Sequence, residues 1–158
     1  MYTSHGRNFM LTILRLATER EELTSVRDQI GATIWSQSIT ASTAKILAQA
    51  IGRRSAASAF SQVSGTYHMN AAGQTTWYDF AKTILEKAGA TSRDLSWLGA
   101  TTHGRPLIAR RVIPISTAEF PCSAQRPAYS VLFELAPNSD VRCCTAKLAY
   151  STAALLRF

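Results

Sequence analysis

One tyrosine–lysine pair in this sequence has a spacing of four positions, at which the lysine could assist proton transfer from the phenol to a carbonyl group. A tyrosine can deliver its phenolic proton to a carbonyl oxygen when a lysine four positions later lowers the pKa of the phenol. Among the five tyrosines only Tyr78 has a lysine there, Lys82. Both lie in an amphipathic helical pattern with no cofactor loop before it. We therefore interpret Tyr78 as a packing residue and Lys82 as a solvated one, and we predict no catalytic residue.

Motifs that bind phosphate groups, nucleophiles or metals do not occur in the sequence. A dinucleotide requires a glycine-rich turn between a strand and a helix, whose N–H groups face the pyrophosphate. No GxGxxG, GxxGxxG, GxxxxGK[ST] or GxSxG sequence is present. The three cysteines, Cys122, Cys143 and Cys144, and the scattered histidines lack the spacing of metal ligands. We predict reduced thiols, no metal site and no cofactor-binding residue.

Size and composition are those of one globular domain. The chain has 158 residues, of which 46% are hydrophobic. No run approaches the roughly 18 consecutive apolar residues of a membrane span, and the first residues do not resemble a signal peptide. The sequence therefore predicts a cytoplasmic protein without a membrane partner.

The net charge of +7 is concentrated in residues 53–111, which carry eight basic and three acidic side chains. We interpret this excess as solvated loop charge, since no nucleic-acid motif accompanies it.

Hydrophobic periodicity predicts helices and strands in alternation. Helices are predicted at about 8–22, 37–51 and 76–89, and strands at about 23–27, 65–70, 112–115 and 129–133. Asn8 is a plausible N-cap of the first helix, and Gly31 has the freedom to adopt a positive φ in a turn. Trp77 and Phe80 are predicted to lie in the core. The strands are few and short, which indicates a small mixed α/β domain rather than a complete doubly wound sheet.

Four blocks, in this order and spacing, resemble the C-terminal, substrate-binding part of the dTDP-4-dehydrorhamnose reductases, an extended short-chain dehydrogenase/reductase family. They span about residues 2–132. The blocks are Asn8-Phe9 with Leu14-Arg15-Leu16-Ala17 and Glu21-Glu22-Leu23; Asp28-Gln29-Ile30-Gly31-Ala32; Gly65-Thr66-Tyr67-His68 with Thr76-Trp77-Tyr78-Asp79-Phe80-Ala81; and Ile113-Pro114-Ile115-Ser116-Thr117-Ala118-Glu119-Phe120-Pro121 with Arg126-Pro127 and Tyr129-Ser130-Val131-Leu132.

The resemblance implies an oxidoreductase that reduces the 4-keto group of dTDP-4-dehydro-L-rhamnose with NADPH or NADH. The product, dTDP-L-rhamnose, serves cell-surface polysaccharide synthesis. In the family the N-terminal half holds the dinucleotide fold and the Tyr-x-x-x-Lys pair. We therefore expect this chain to lack most of the Rossmann sheet, to supply nucleotide-sugar binding only, and to be inactive alone. A separate cofactor-binding half or a homo-oligomer is the partner that this reading suggests.

The sequence departs from the family pattern at two places. Thr33 stands where the family has a proline and Ile34 where it has a threonine. After Leu132 the match ends, and residues 133–158 read as unrelated sequence, which a reading-frame change would produce. We therefore divide the chain into a substrate-binding part, residues 1–132, and a divergent or disordered tail, residues 133–158.

Three residues are the candidates for contact with a dTDP-sugar. The guanidinium fork of Arg126 suits diphosphate oxygens, with a structural ion pair as the alternative. Asn8 is a candidate for the sugar or diphosphate, unless it only caps a helix. Gln29 is a candidate hydrogen-bond partner of the substrate, unless it is only a turn side chain. Asp28 is expected to brace the turn.

Two other functions remain open at this point. The family includes regulatory relatives, so the chain is alternatively a non-catalytic nucleotide-sugar-binding or regulatory module. The altered turn and the unmatched tail favour a third possibility, a non-functional, truncated gene product.

Overall fold

The computed structural model of the chain describes residues 1–51, 65, 67–69, 71, 73–90, 95–121 and 142–143. The regular elements follow in the order α1 (Phe9–Ala17), β1 (Glu22–Val26), β2 (Ile30–Gly31), α2 (Ser36–Ile51), β3 (Tyr67–His68), β4 (Thr75–Thr76), α3 (Trp77–Ala90), α4 (Ser96–Thr102), β5 (Arg111–Ile115), a 3-10 turn (Thr117–Glu119) and β6 (Arg142–Cys143). This mixture of helices and short strands confirms the predicted small α/β class.

A pair of parallel strands, β1 and β5, forms the centre of the fold. The register runs from Glu22 opposite Arg111 to Val26 opposite Ile115, and Glu22 and Arg111 form an ion pair at its beginning. Helix α3 contacts both strands, and α1 packs against α3 and β1. Because the strands are parallel, the residues that follow both of them lie at one edge of the sheet.

Helix α1 begins where its cap was predicted. The side-chain Oδ1 of Asn8 accepts a hydrogen bond from the Leu11 N–H at 3.2 Å, which satisfies one of the free donors of the first turn. The buried positions follow helical spacing, and they are Met10, Ile13, Leu14 and Ala17. The helix ends at Ala17, before the predicted residue 22. The Ala17 carbonyl accepts from the N–H groups of Ile108 and Ala109 at 2.8 and 3.0 Å, and so ties the helix end to the segment before β5.

Helix α3 is capped by Thr76. The Thr76 hydroxyl accepts from the Asp79 N–H at 3.0 Å and donates to the Asp79 carboxylate at 2.6 Å. Its buried residues, Phe80, Ala81, Ile84 and Ala88, form the predicted apolar face. The prediction for Trp77 was wrong: the residue is 39% exposed, although its ring packs on Phe9 at a centroid distance of 4.7 Å. Trp77 is the first residue of α3, where the helix has no preceding turn to cover it.

The segment between β1 and α2 is extended rather than a simple turn. Strand β2 pairs antiparallel with β4, and Ile30 lies opposite Thr76. Gly31 lies in this strand and is not among the glycines with positive φ, so that prediction was wrong. The buried Tyr2 bridges to Trp35 just before α2. Helix α2 occupies the predicted range, but none of its residues is buried against the described part of the chain.

One prediction falls outside the described residues, and two elements of the structure were not predicted. The strand predicted at 129–133 lies outside the described residues. The strand predicted at 65–70 is the shorter β3, which pairs in parallel with β6 from the tail. Helix α4 and the 3-10 turn were not predicted. The β5 prediction was confirmed within one residue.

Candidate functional site

The carboxyl ends of β1 and β5 bring two distant loops into contact. The Arg27 N–H continues the strand pairing by donating to the Ile115 carbonyl at 2.9 Å. Asp28 and Gln29 follow on one side, and Ser116 and Thr117 follow on the other. In open parallel sheets ligands bind at this edge.

Asp28 connects the two loops. Its carboxylate accepts from the Thr117 N–H, with both oxygens at 2.9 Å, and from the Thr117 hydroxyl at 2.6 Å. These hydrogen bonds, the one from the hydroxyl first, hold the pKa of Asp28 below its ordinary value. The predicted bracing of the turn by Asp28 is therefore a contact across 89 residues of sequence rather than within the turn.

Gln29 lies beside Asp28 and is buried, with 8% of the residue exposed. Its Nε2 donates to the Thr117 hydroxyl oxygen at 3.1 Å. Thr117 therefore receives one hydrogen bond from Gln29 and gives another to Asp28. Sequence reasoning placed Thr117 in a resemblance block but gave it no role, because no local pattern shows which residue faces the turn after β1.

The loop after β5 is fixed by a capping box. The Glu119 carboxylate accepts from the Ser116 N–H at 2.7 Å and from the Ser116 hydroxyl at 2.8 Å. These bonds, the backbone one first, hold the pKa of Glu119 below its ordinary value. The box fixes the backbone on either side of Thr117.

Asn8 lies at the beginning of α1 with its amide engaged locally. Besides capping the helix, its Nδ2 donates to the Thr3 carbonyl at 2.9 Å and to the His5 carbonyl at 3.3 Å. Helix capping, the alternative to a binding role, therefore engages Oδ1, and the two local carbonyls engage Nδ2. A ligand that contacts Asn8 must share or replace them.

Packing contacts join Asn8 and Gln29 at the same edge of the molecule. Phe9, next to Asn8, packs on Trp77. Trp77 follows Thr76, which pairs with Ile30, the neighbour of Gln29. The beginnings of α1 and α3 therefore lie beside the loop after β1. We call this region the strand-end edge, formed by Asn8, Asp28, Gln29, Trp77 and Thr117. Arg126 lies outside the described residues.

The strand-end edge does not fit the pyrophosphate of a dinucleotide. The loop after β1 carries the Asp28 carboxylate, which repels phosphate oxygens. The two N–H groups of the opposite loop, those of Ser116 and Thr117, already donate to Glu119 and Asp28. A phosphate cradle needs such N–H groups free. The two loops of the strand-end edge therefore offer no free pyrophosphate cradle.

The described part of the chain offers few other candidate binding sites. A cavity of about 310 Å³ lies between the end of α3 and α4, and Gly89, Leu98 and Pro106 are among its lining residues. It is at the opposite end of α3 from the strand-end edge. No group of three potential metal ligands occurs among the described residues. No helix among them is both long and apolar enough to cross a membrane.

In the Tyr78–Lys82 pair, the lysine is solvated, as predicted. Lys82 is exposed and forms an ion pair with Glu86 at 3.8 Å, one turn along α3. Tyr78 is half-buried on the same helix. The pair therefore lies on α3 with its lysine engaged by a surface carboxylate.

Comparison with known proteins identifies close relatives of the chain. A 132-residue region is 46% identical to the dTDP-4-dehydrorhamnose reductase of Burkholderia thailandensis, covering 84% of this chain and 40% of the relative. The Escherichia coli reductase is 34% identical over 84% of this chain and 38% of its own length. The chain thus spans about 40% of the length of these curated relatives.

A solved structure shares the fold. The dTDP-4-dehydrorhamnose reductase of Bacillus anthracis, in complex with NADP, superposes with a TM-score of 0.57 at 30% identity, covering 81% of this chain and 35% of that one. NADP in that complex agrees with the cofactor expected of the family. The model of the RmlD substrate binding domain matches residues 1–147, and the chain therefore belongs to the RmlD substrate-binding-domain family.

Proposed function

We propose that the chain supplies nucleotide-sugar binding to a dTDP-4-dehydrorhamnose reductase. That NAD(P)H-dependent oxidoreductase would reduce dTDP-4-dehydro-L-rhamnose to dTDP-L-rhamnose for cell-surface polysaccharide. The family match over residues 1–147 and the names of the relatives support this assignment. A cytoplasmic location, and the division of the chain after Leu132, remain predictions.

The observation that carries the proposal is the joining of two loops at the carboxyl ends of the parallel strands. Thr117 receives a hydrogen bond from Gln29 and donates one to Asp28. Such a network holds its side chains in place before a ligand arrives, which lowers the entropy lost on binding. It supports a built binding edge rather than a solvated turn.

Within this edge we assign different parts of the nucleotide sugar to different residues. Gln29 offers a polar group from a buried position, and Trp77 offers an exposed ring face on which a thymine can stack. Asn8, the neighbour of the Phe9 ring that packs on Trp77, is the proposed contact of the sugar or the diphosphate. Arg126 remains the proposed diphosphate ligand on the chemistry of its guanidinium.

Reduction itself requires residues that the described part of the chain does not offer. A hydride donor needs the pyrophosphate cradle, and the strand-end edge has a carboxylate there instead. We therefore propose that turnover requires a cofactor-binding part, present on the same or a separate polypeptide. A second copy of the chain is the other partner to consider.

Calorimetric titration with dTDP-L-rhamnose tests the binding function. We expect saturable heat at ligand concentrations up to about 1 mM, and weaker binding in Gln29→Ala. Gln49→Ala is the matched control, because Gln49 is exposed on α2 and should bind as the wild type does. Absence of heat in the wild type would refute the proposal and favour a non-functional gene product. Binding by a chain that never supports turnover, even with a cofactor-binding part added, would favour the regulatory module.

A further inference from the structure

The direction of the hydrogen bonds at Thr117 determines which way the Gln29 amide faces. A threonine hydroxyl has one proton to donate. The distance from the Thr117 Oγ1 to the Asp28 Oδ1 is 2.6 Å, and an ionised carboxylate can only accept. The hydroxyl proton therefore points to Asp28.

Gln29 must then be the donor in its contact with Thr117. The two arms of a glutamine amide are nearly indistinguishable in shape, so the hydrogen-bond network decides their assignment. With the hydroxyl proton committed, an Oε1 facing Thr117 would bring two acceptors together without a hydrogen. The arrangement with Nε2 at 3.1 Å from Oγ1 is the consistent one. In this arrangement Oε1 is the arm of the amide that faces away from Thr117.

Oε1 of Gln29 is therefore an acceptor fixed in direction and not engaged by the described residues. The side chain makes its hydrogen bond to Thr117 through Nε2 alone. The residue is 8% exposed, so rotation of the amide is restricted by its surroundings. Loss of the Thr117 bond would accompany any flip of the amide.

We infer that Gln29 recognises a hydrogen-bond donor of the nucleotide sugar, and that Thr117 is the positioning residue which fixes this preference. The inference rests on the proposed function and deepens it. The donor is a sugar hydroxyl or the N3–H of thymine, since diphosphate oxygens only accept. The diphosphate must then be bound elsewhere.

This arrangement gives a physical basis for substrate selection. An acceptor that a bound ligand covers without supplying a donor costs more than a lost contact, because it has given up water and gained nothing in return. Sites built to bond a hydroxyl or N–H group reject analogues that lack it. An acceptor-only group at the same position would face Oε1 with no hydrogen between them.

Titration of the wild-type chain with a matched series of ligands tests the preference. The probes are dTDP-L-rhamnose, analogues in which fluorine replaces one sugar hydroxyl at a time, and dTDP with or without an N3-methyl group. Fluorine keeps the size of a hydroxyl but cannot donate. We expect one probe, a single fluoro analogue or the N3-methyl compound, to bind about two- to tenfold more weakly than its parent. A fluoro analogue identifies the sugar as the source of the donor, and the N3-methyl compound identifies the base.

Substitutions then test the positioning role. In Asp28→Asn the amide can donate to Thr117, the hydroxyl is released to donate to Gln29, and the discrimination should fall to within about twofold. Thr117→Val should lose discrimination in the same way, whereas Thr117→Ser should keep it. Thr101→Val is the control, since it removes a hydroxyl that donates to the Trp97 carbonyl on α4.

NMR of the wild-type chain without ligand tests the orientation of the Gln29 amide even if a variant does not fold. In the NMR spectrum of the wild type, the side-chain NH2 of Gln29 should show cross-relaxation with the Thr117 side chain. Its absence would overturn the inference. Equal binding of all analogues by a wild type that binds dTDP-L-rhamnose would overturn it and leave the proposed function intact. Unchanged discrimination in Asp28→Asn would remove the role of Thr117, and no binding by the wild type would refute both proposals.

Discussion

Phe80 links the stability of the chain to the geometry of the strand-end edge. The residue is 5% exposed, and its ring lies 5.5 Å from that of Tyr2 and 5.7 Å from that of Phe9. Each aromatic pair contributes about 0.5–1.5 kcal/mol beyond the buried area. Phe80→Leu removes both pairs and keeps an apolar side chain, so we expect a loss of about 1–3 kcal/mol in the free energy of unfolding.

Trp77→Leu is the matched control for this loss. Trp77 lies one turn before Phe80 on α3, is 39% exposed and, among the described residues, makes one ring contact, with Phe9. One pair lost at an exposed position corresponds to about 0.5–1.5 kcal/mol. Phe80→Leu should therefore be the more damaging of two substitutions that both convert an aromatic residue to leucine.

Urea unfolding followed by far-ultraviolet circular dichroism measures the two effects. With a slope of about 2 kcal/mol per molar urea, Phe80→Leu should lower the unfolding midpoint by about 0.5–1.5 M. The slope itself should not change. An equal or larger effect of Trp77→Leu would refute the conclusion that Phe80, rather than the exposed ring of Trp77, holds α1 against α3.

Three further predictions concern the strand-end edge. Removing the helix cap in Asn8→Ala should cost about 1 kcal/mol of stability, and Asn8→Ser should restore most of it, as measured by thermal unfolding. The pKa values of Asp28 and Glu119 are lowered by folding from ordinary values of 3.8 and 4.5. Their contribution to stability is therefore complete above about pH 5 and is lost as the pH falls through and below those values. Urea midpoints between pH 7 and 3 should show that loss, and the double variant Asp28→Asn/Glu119→Gln should reduce it; an identical pH profile would contradict it. Trp77→Leu should weaken dTDP binding by at least about fivefold if the indole stacks on thymine, whereas unchanged affinity would exclude that contact.

Local signals in the sequence predicted the elements that depend on neighbouring residues. The cap of α1 at Asn8 and the apolar spacing of α3 are properties of a few consecutive positions, and both were confirmed. Helix α4 has no such signal. Leu95 stands at its N-cap position without a side-chain cap, and the helix is followed by His103, a non-glycine residue with a φ of 52°. A helix that begins and ends without the usual residues is defined by its packing, which no local pattern contains.

Burial was harder to predict than secondary structure, since it depends on which side of an amphipathic element finds a partner. Trp77 and Phe80 lie three positions apart on one helical face, and both were expected in the core. Only Phe80 has rings packed around it from both Tyr2 and Phe9. Trp77 lies at the first position of α3 and is 39% exposed.

The candidate site illustrates the same division between local and distant information. Asn8 had the clearer sequence signal, yet that signal is fully used by helix capping and by the carbonyls of Thr3 and His5. Gln29 had a weaker signal, because its partner Thr117 is 88 residues away. The direction of its amide depends in turn on the charge of Asp28. The property that would select a ligand is thus the orientation of one hydroxyl proton, which is determined only when the carboxyl ends of β1 and β5 meet.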